Sequence, residues 1–137
     1  MSYTKLGRMV LVALVASVYS ADARAQTPGC ATPFVLCSGC DTFTRITVHA
    51  GKVCELPYLR MGDRGSLSAA MVAAAIFSQR IVVRPHGGMF GTANQTSGAY
   101  KANPGFVGSD SFEADIEFER QGQRHVTRLK ADVNVVP

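Results

Sequence analysis

The sequence has little from which an active site could be built. It contains no Gly-x-Ser-x-Gly elbow, no phosphate-cradling glycine motif and no pair of carboxylates with an acid/base signature. Only three histidines, His49, His86 and His125, could serve as bases, and they are dispersed. No apolar run reaches the roughly 20 residues of a membrane helix. There is no clustered basic stripe, which removes nucleic acid and an anionic membrane surface from the expected partners. No internal repeat and no second domain is evident.

What is present begins with an export signal. Lys5 and Arg8 precede the apolar run Met9–Ala16, which is too short for a stable anchor. Ala23-Arg24-Ala25 supplies small residues at both positions a signal peptidase reads, so residues 1–25 are expected to be removed before Gln26; cleavage before Arg24 is the alternative. No Cys follows the apolar run to take a lipid, and there is no twin-Arg pair. The chain left, 26–137, is one domain's worth with no membrane span. Its charge falls from +4 to +2 once Lys5, Arg8, Arg24 and Asp22 are gone.

Cysteine usage points to the same compartment. Cys30, Cys37, Cys40 and Cys54 form an even set, read as two disulfides in an oxidising environment. Three connectivities are possible. A bridge within Cys37-Ser38-Gly39-Cys40 closes a very tight loop, so these two are expected to pair outward, with Cys30 and Cys54 in some order. A redox-active pair would call for a helix start in a thioredoxin-like pattern, which is not evident. Haem attachment needs His where Asp41 stands, and a four-Cys zinc site needs two close pairs.

Beyond the Cys-rich opening segment (26–44), the pattern is that of punctuated strands. Arg45–Ala50 alternates with Ile46 and Val48 on one face, and Val53–Leu56 is stopped by Pro57. Met61–Gly65 is a loop. Ser66–Phe77 is an Ala-rich apolar run that reads as a short helix or an irregular strand-like crossover. Arg80–Arg84 is a β-branched strand ended by the turn residues Pro85-His86-Gly87-Gly88. Met89–Ala93 returns, and another strand starts at Ala99.

The last hairpin permits a register to be derived. Phe112, Ala114, Ile116 and Phe118 share one face, and Glu113, Asp115, Glu117 and Glu119 the other. On the next strand His125, Thr127, Leu129, Ala131, Val133 and Val135 lie together, opposed by Arg128, Lys130, Asp132 and Asn134, with Val126 an exception. A one-residue slip would turn the apolar set outward. Of the two registers that keep like faces together, one sets Glu119 opposite Arg124, Asp115 opposite Arg128 and Glu113 opposite Lys130. The other sets Glu113 against Asp132. Cross-strand pairs contribute roughly 0.2–1 kcal/mol each, which favours the first and leaves Arg120–Gln123 as the loop. The acidic row is then a solvated sheet face and needs no metal. The fold expected is an all-β, immunoglobulin-like antiparallel sandwich with a disulfide-stapled N-terminal segment.

The segment Tyr100…Pro104-Gly105-Phe106-Val107-Gly108-Ser109-Asp110-Ser111-Phe112, followed by strands to Val136, resembles bacterial immunoglobulin-like domains of the cadherin-like tandem type. Arg84–Gly88 resembles that family's Pro-x-x-Gly turn, so the likeness covers about residues 80–136. Ala102 stands where the family usually has Pro. In physical terms Gly105 and Gly108 permit turns, and Asp110 can accept backbone N–H bonds within the loop. Tyr100, Phe106 and Phe112 would plug one end of the sandwich, with the Tyr100 hydroxyl on a backbone partner. The resemblance implies a binding role. Calcium, which such domains can hold, would need a multi-carboxylate loop that Asp110 and Asp115 do not supply. Met89 near His86 is too little for copper without a Cys–His–Met set. No cofactor and no metal are expected. The sequence points to a non-enzymatic exported interaction module for a protein or glycan, with a small hydrolase inhibitor as the alternative and a metalloprotein as a third, weaker reading.

Overall fold

A computed structural model describes residues 29–62 and 71–137. The expected export signal, residues 1–25, lies outside them, as do residues 66–70 of the Ala-rich run. The described residues contain nine strands and no helix: β1 (Asp41–His49), β2 (Val53–Pro57), β3 (Leu59–Met61), β4 (Met71–Ala73), β5 (Ile76–Val83), β6 (Gly88–Asn94), β7 (Ser97–Ala102), β8 (Gly108–Arg120) and β9 (Gln123–Val136).

Two sheets face each other. One has the order β1-β9-β8-β5 and the other β2-β7-β6, with β3 and β4 forming a small ribbon in the connection between β2 and β5. This is the strand arrangement of an immunoglobulin-like sandwich, with its second, fourth and fifth main strands opposed to the third, sixth and seventh. One apolar cluster joins the layers: Ile46, Val48, Phe112, Ile116 and Leu129 from the first sheet, and Cys54, Leu56, Phe90 and Tyr100 from the second. The Phe90 and Phe112 rings stack across it with centroids 4.2 Å apart. All the strand neighbours are antiparallel except β1 and β9, which run parallel from Asp41↔Arg128 to His49↔Val136. The expectation of a purely antiparallel sandwich is corrected in that one pair. The inward row of β1 (Thr42, Thr44, Ile46, Val48) lies beside the inward row of β9 (Leu129, Ala131, Val133, Val135), so the pairing buries both.

The hairpin of β8 and β9 has the derived register: Glu119↔Arg124, Asp115↔Arg128 and Glu113↔Lys130. Its loop is tighter than expected. Arg120 pairs with Gln123, leaving Gln121 and Gly122 at φ 54° and 74°, the backbone of a two-residue turn that matches strand twist.

One element differs from the sequence reading, and one decides between its alternatives. β1 starts at Asp41, inside the segment expected to be loop, because Thr42 and Thr44 extend the inward alternation and find hydroxyl partners: Thr42 Oγ1 with Thr127 Oγ1 at 2.7 Å, and Thr44 Oγ1 with the Thr32 carbonyl at 2.9 Å. Of the two readings of the Ala-rich run, the strand-like crossover fits its described part and the short helix does not: Met71–Ala73 and Ile76 onward are strand. Helix propensity is overridden by tertiary partners for the same backbone groups. Ala74 N donates to Tyr58 O, Ile76 N to Gln95 O, and Glu119 N to Ala75 O.

The cysteines also pair differently. Cys30 joins Cys54 and Cys37 joins Cys40, so the expectation that Cys37 and Cys40 reach outward is overturned. The segment before β1 explains this. Ala31 bridges antiparallel to Ile46, Thr47 N donates to Cys30 O, and Thr32 N donates to Arg45 O. These contacts lay the segment along the outer edge of β1 and bring Cys30 over Cys54 of β2. Past Val35 and Leu36, bonded to β3, the chain reverses through Ser38–Cys40 into β1. Two disulfides fit an oxidising compartment.

Candidate functional site

The residues singled out in the Tyr100–Phe112 segment converge on a structural knot. Asp110 is buried, and its carboxylate accepts from His86 N (2.8 Å), Gly87 N (2.9 Å) and Ser111 N (2.9 Å). The Tyr100 hydroxyl donates to Asp110 Oδ2 at 2.8 Å, so its partner is a carboxylate and not the backbone group expected. Burial pushes the Asp110 carboxyl up, but the backbone donors and the Tyr100 hydroxyl outweigh it and hold the group below its ordinary value. Burial, then the bond to Asp110 and its charge, push the Tyr100 hydroxyl well up.

The rings surround this carboxylate. Tyr100 stacks on Phe112 at 5.8 Å between centroids. Phe106 lies against Gly87, where a Cβ would sit 2.2 Å from its ring. At Gly88 a Cβ would meet the Lys101 carbonyl at 2.4 Å. Gly105 and Gly108 have positive φ, 83° and 133°, and Pro104 is exposed in the same turn. With its donors all drawn from the protein and its aromatic residues packed, this knot offers a ligand no open coordination. It fixes the fold.

The outward face of the four-stranded sheet is the better candidate for binding. The registers place Asp41, Arg128, Asp115 and Arg80 in one row across β1, β9, β8 and β5. Asp115 is the hub: Arg128 Nε and Nη2 reach it at 2.7 and 3.2 Å, and Arg80 Nη2 at 3.0 Å. The Arg128 hydrogen bonds, opposed by partial burial and helped by Arg80, hold the Asp115 carboxyl below its usual range. The next row is Phe43, Lys130, Glu113 and Val83, with Lys130 Nζ 3.1 Å from Asp41 and 3.7 Å from Glu113. Beyond it lie Arg45, Asp132 and Ser111. These rows wall an open groove of about 760 Å³ that runs over Phe43, Arg45, Val83, Glu113, Lys130 and Asp132. Phe43 is 67 % exposed there, a large aromatic face with Lys130 Nζ 5.9 Å from its ring centroid. Sequence reading missed it, because Phe43 fell in the segment read as loop and its neighbours are set by the parallel pairing with β9.

The histidines do not meet. His49 Nδ1 is 2.8 Å from the Pro137 carbonyl, while the His86 backbone belongs to the Asp110 knot. His125 faces inward opposite Phe118, as the register requires, and its Nδ1 shares a hydrogen bond with Ser38 Oγ at 2.6 Å. Among the described residues no group of three or more His, Cys, Asp and Glu is placed to hold a metal ion. The described residues contain no helix long and apolar enough to cross a membrane. A scan against protein-family models matches none, and a search of curated proteins finds no relative.

Proposed function

We propose that this chain is an exported, non-enzymatic immunoglobulin-like interaction module of the bacterial envelope or extracellular space, binding a protein or glycan through the outer face of its four-stranded sheet. The observation that carries this reading is the groove around Phe43. An exposed aromatic ring beside hydrogen-bonding side chains whose positions are fixed by ion pairs is the kind of surface that engages a partner by shape, with no reacting group required. The likeness to cadherin-like tandem domains is taken as kinship. The two stretches that carry it, Arg84–Gly88 and Tyr100–Phe112, are bonded to each other through Asp110.

The test is binding of the intact chain to a glycan array and to fractionated envelope extract, with Phe43→Ala and Asp132→Lys beside the native protein. Specific capture that both substitutions weaken at least about tenfold supports the face, since one anchor residue typically carries more than about 1.4 kcal/mol of binding. Capture unchanged in both variants moves binding elsewhere, and capture of nothing removes the reading.

A further inference from the structure

The Cys37–Cys40 bridge has no mechanical task in this fold. It closes on itself within one loop, three residues apart in sequence. That loop is already seated on β9 by bonds that use no sulfur: Gly39 N donates to Val126 O at 2.9 Å, and Thr127 Oγ1 donates to Cys40 O at 2.7 Å. The cross-link between sheets is the other bridge, Cys30–Cys54, whose residues are 8 % and 0 % exposed. Cys40, by contrast, is exposed and Cys37 is half-buried.

The surroundings of the two sulfurs are unequal. Cys37 Sγ lies 3.3 Å from the Asp41 carbonyl oxygen, placed to accept from a thiol there, and 3.7 Å from Thr42 Oγ1 and Thr127 Oγ1, whose protons are held by each other and by Cys40 O. Ser38, between the cysteines, is bonded to the His125 ring. Beside Cys40 the surface dips into a shallow depression lined by Gly39, Asp41, Asp115, Val126, Arg128 and Lys130. A thiolate attacking a disulfide takes the accessible sulfur. Here the accessible sulfur is on Cys40, and the one expelled, on Cys37, finds the Asp41 carbonyl ready to accept from its thiol.

We propose that Cys37–Cys40 is a thiol–disulfide exchange site whose co-reactant is a protein dithiol. A partner thiol gives up its proton and its sulfur attacks Cys40 Sγ. The Cys37–Cys40 bond breaks, its electron pair leaves on Cys37 Sγ, and Cys37 takes up a proton. The partner's second thiol then loses its proton and attacks its own sulfur in the mixed disulfide, releasing Cys40, which is protonated in turn. The partner loses two electrons and two protons and becomes a disulfide, and Cys37 and Cys40 gain them as thiols. One bridge is consumed per dithiol oxidised. This goes beyond the interaction reading and does not depend on the Phe43 groove.

The test takes the intact chain in oxidised form through graded glutathione buffers, with acid quench, alkylation and peptide mass mapping. Cys37–Cys40 is expected to open in a buffer at least about tenfold less reducing than Cys30–Cys54 requires, with the β circular dichroism unchanged. The folded loop is expected to oxidise a reduced dithiol peptide one to one, at least about fivefold faster than a disulfide-closed Cys-Ser-Gly-Cys peptide does. Joint opening of both bridges as the fold is lost overturns the proposal, and so does a rate equal to that of the free peptide.

Discussion

At the scale of single residues, Asp110 is where local chemistry and tertiary structure meet. The sequence marks it as a loop acceptor, because a carboxylate among glycines and serines has backbone donors near it. It does not mark His86 and Gly87, which lie more than twenty positions away and arrive only when β5 and β6 fold against β8. Asp110→Asn replaces an acceptor-only group by one that presents an NH₂ to several donors. The expected cost is about 2–4 kcal/mol at neutral pH, read as a lower urea midpoint. Since the folded carboxyl titrates below its ordinary value of about 3.9, its contribution is present above that pH and lost as pH falls through the folded value. The gap between native and Asn protein should therefore close in acid melts, while a gap that persists unchanged at low pH would assign the effect to shape. Gly88 makes the complementary case. Gly88→Ala drives a methyl into the Lys101 carbonyl, a backbone atom held by the β6–β7 pairing, and should cost about 2–3 kcal/mol in the same melts.

At the scale of elements, the hairpin of β8 and β9 was legible and the Ala-rich run was not, for one physical reason. A strand pair with one buried face and oppositely charged outward rows carries its register in period-2 spacing, so sequence suffices. An apolar run without periodicity carries none, and its structure is set by donors and acceptors on other strands, as at Ala74 and Ile76. Side chains still depart from the ladder: Arg124 stands opposite Glu119 but pairs with Glu117 at 2.7 Å and covers the Phe77 ring, while Glu119 accepts from Gly122 N at 2.8 Å. Asp115, bonded to two arginines, should show the strongest coupling on this face. A double-mutant cycle on Asp115→Ala and Arg128→Ala is expected to give a favourable coupling, above that of Arg124 with Glu117 because the contact is bidentate, and to shrink by at least half in about 1 M salt. A coupling near zero at low salt would make the row ornamental to stability.

At the scale of the molecule, the sandwich depends on how its first strands are tied down. Strand existence could be read from alternation, but the side of the sandwich on which β1 lies could not, because its inward residues suit either sheet. The connection from β1 to β2 is only Ala50–Lys52, yet the two strands belong to opposite layers, so the chain must turn a corner there. Cys30–Cys54 spans that corner: Cys30 is bonded along β1 and Cys54 is in β2. The two bridges should therefore differ in what their removal does. In the chain-entropy account, closing the 24-residue separation between Cys30 and Cys54 stabilises the fold by about 3.5 kcal/mol, whereas the three-residue separation of Cys37–Cys40 gives about 2 kcal/mol at most. The larger bridge also joins two layers that must dock together, and the smaller one joins nothing that hydrogen bonds do not already hold. Replacing Cys30 and Cys54 together by Ala is expected to lower the denaturation midpoint markedly and to broaden dispersion in β1 and β2 first. Replacing Cys37 and Cys40 together should leave the spectrum of the sandwich intact and move the midpoint by less than half as much. Equal losses in the two variants would mean that the Ser38–Cys40 reversal, and not the inter-sheet bridge, sets the position of β1.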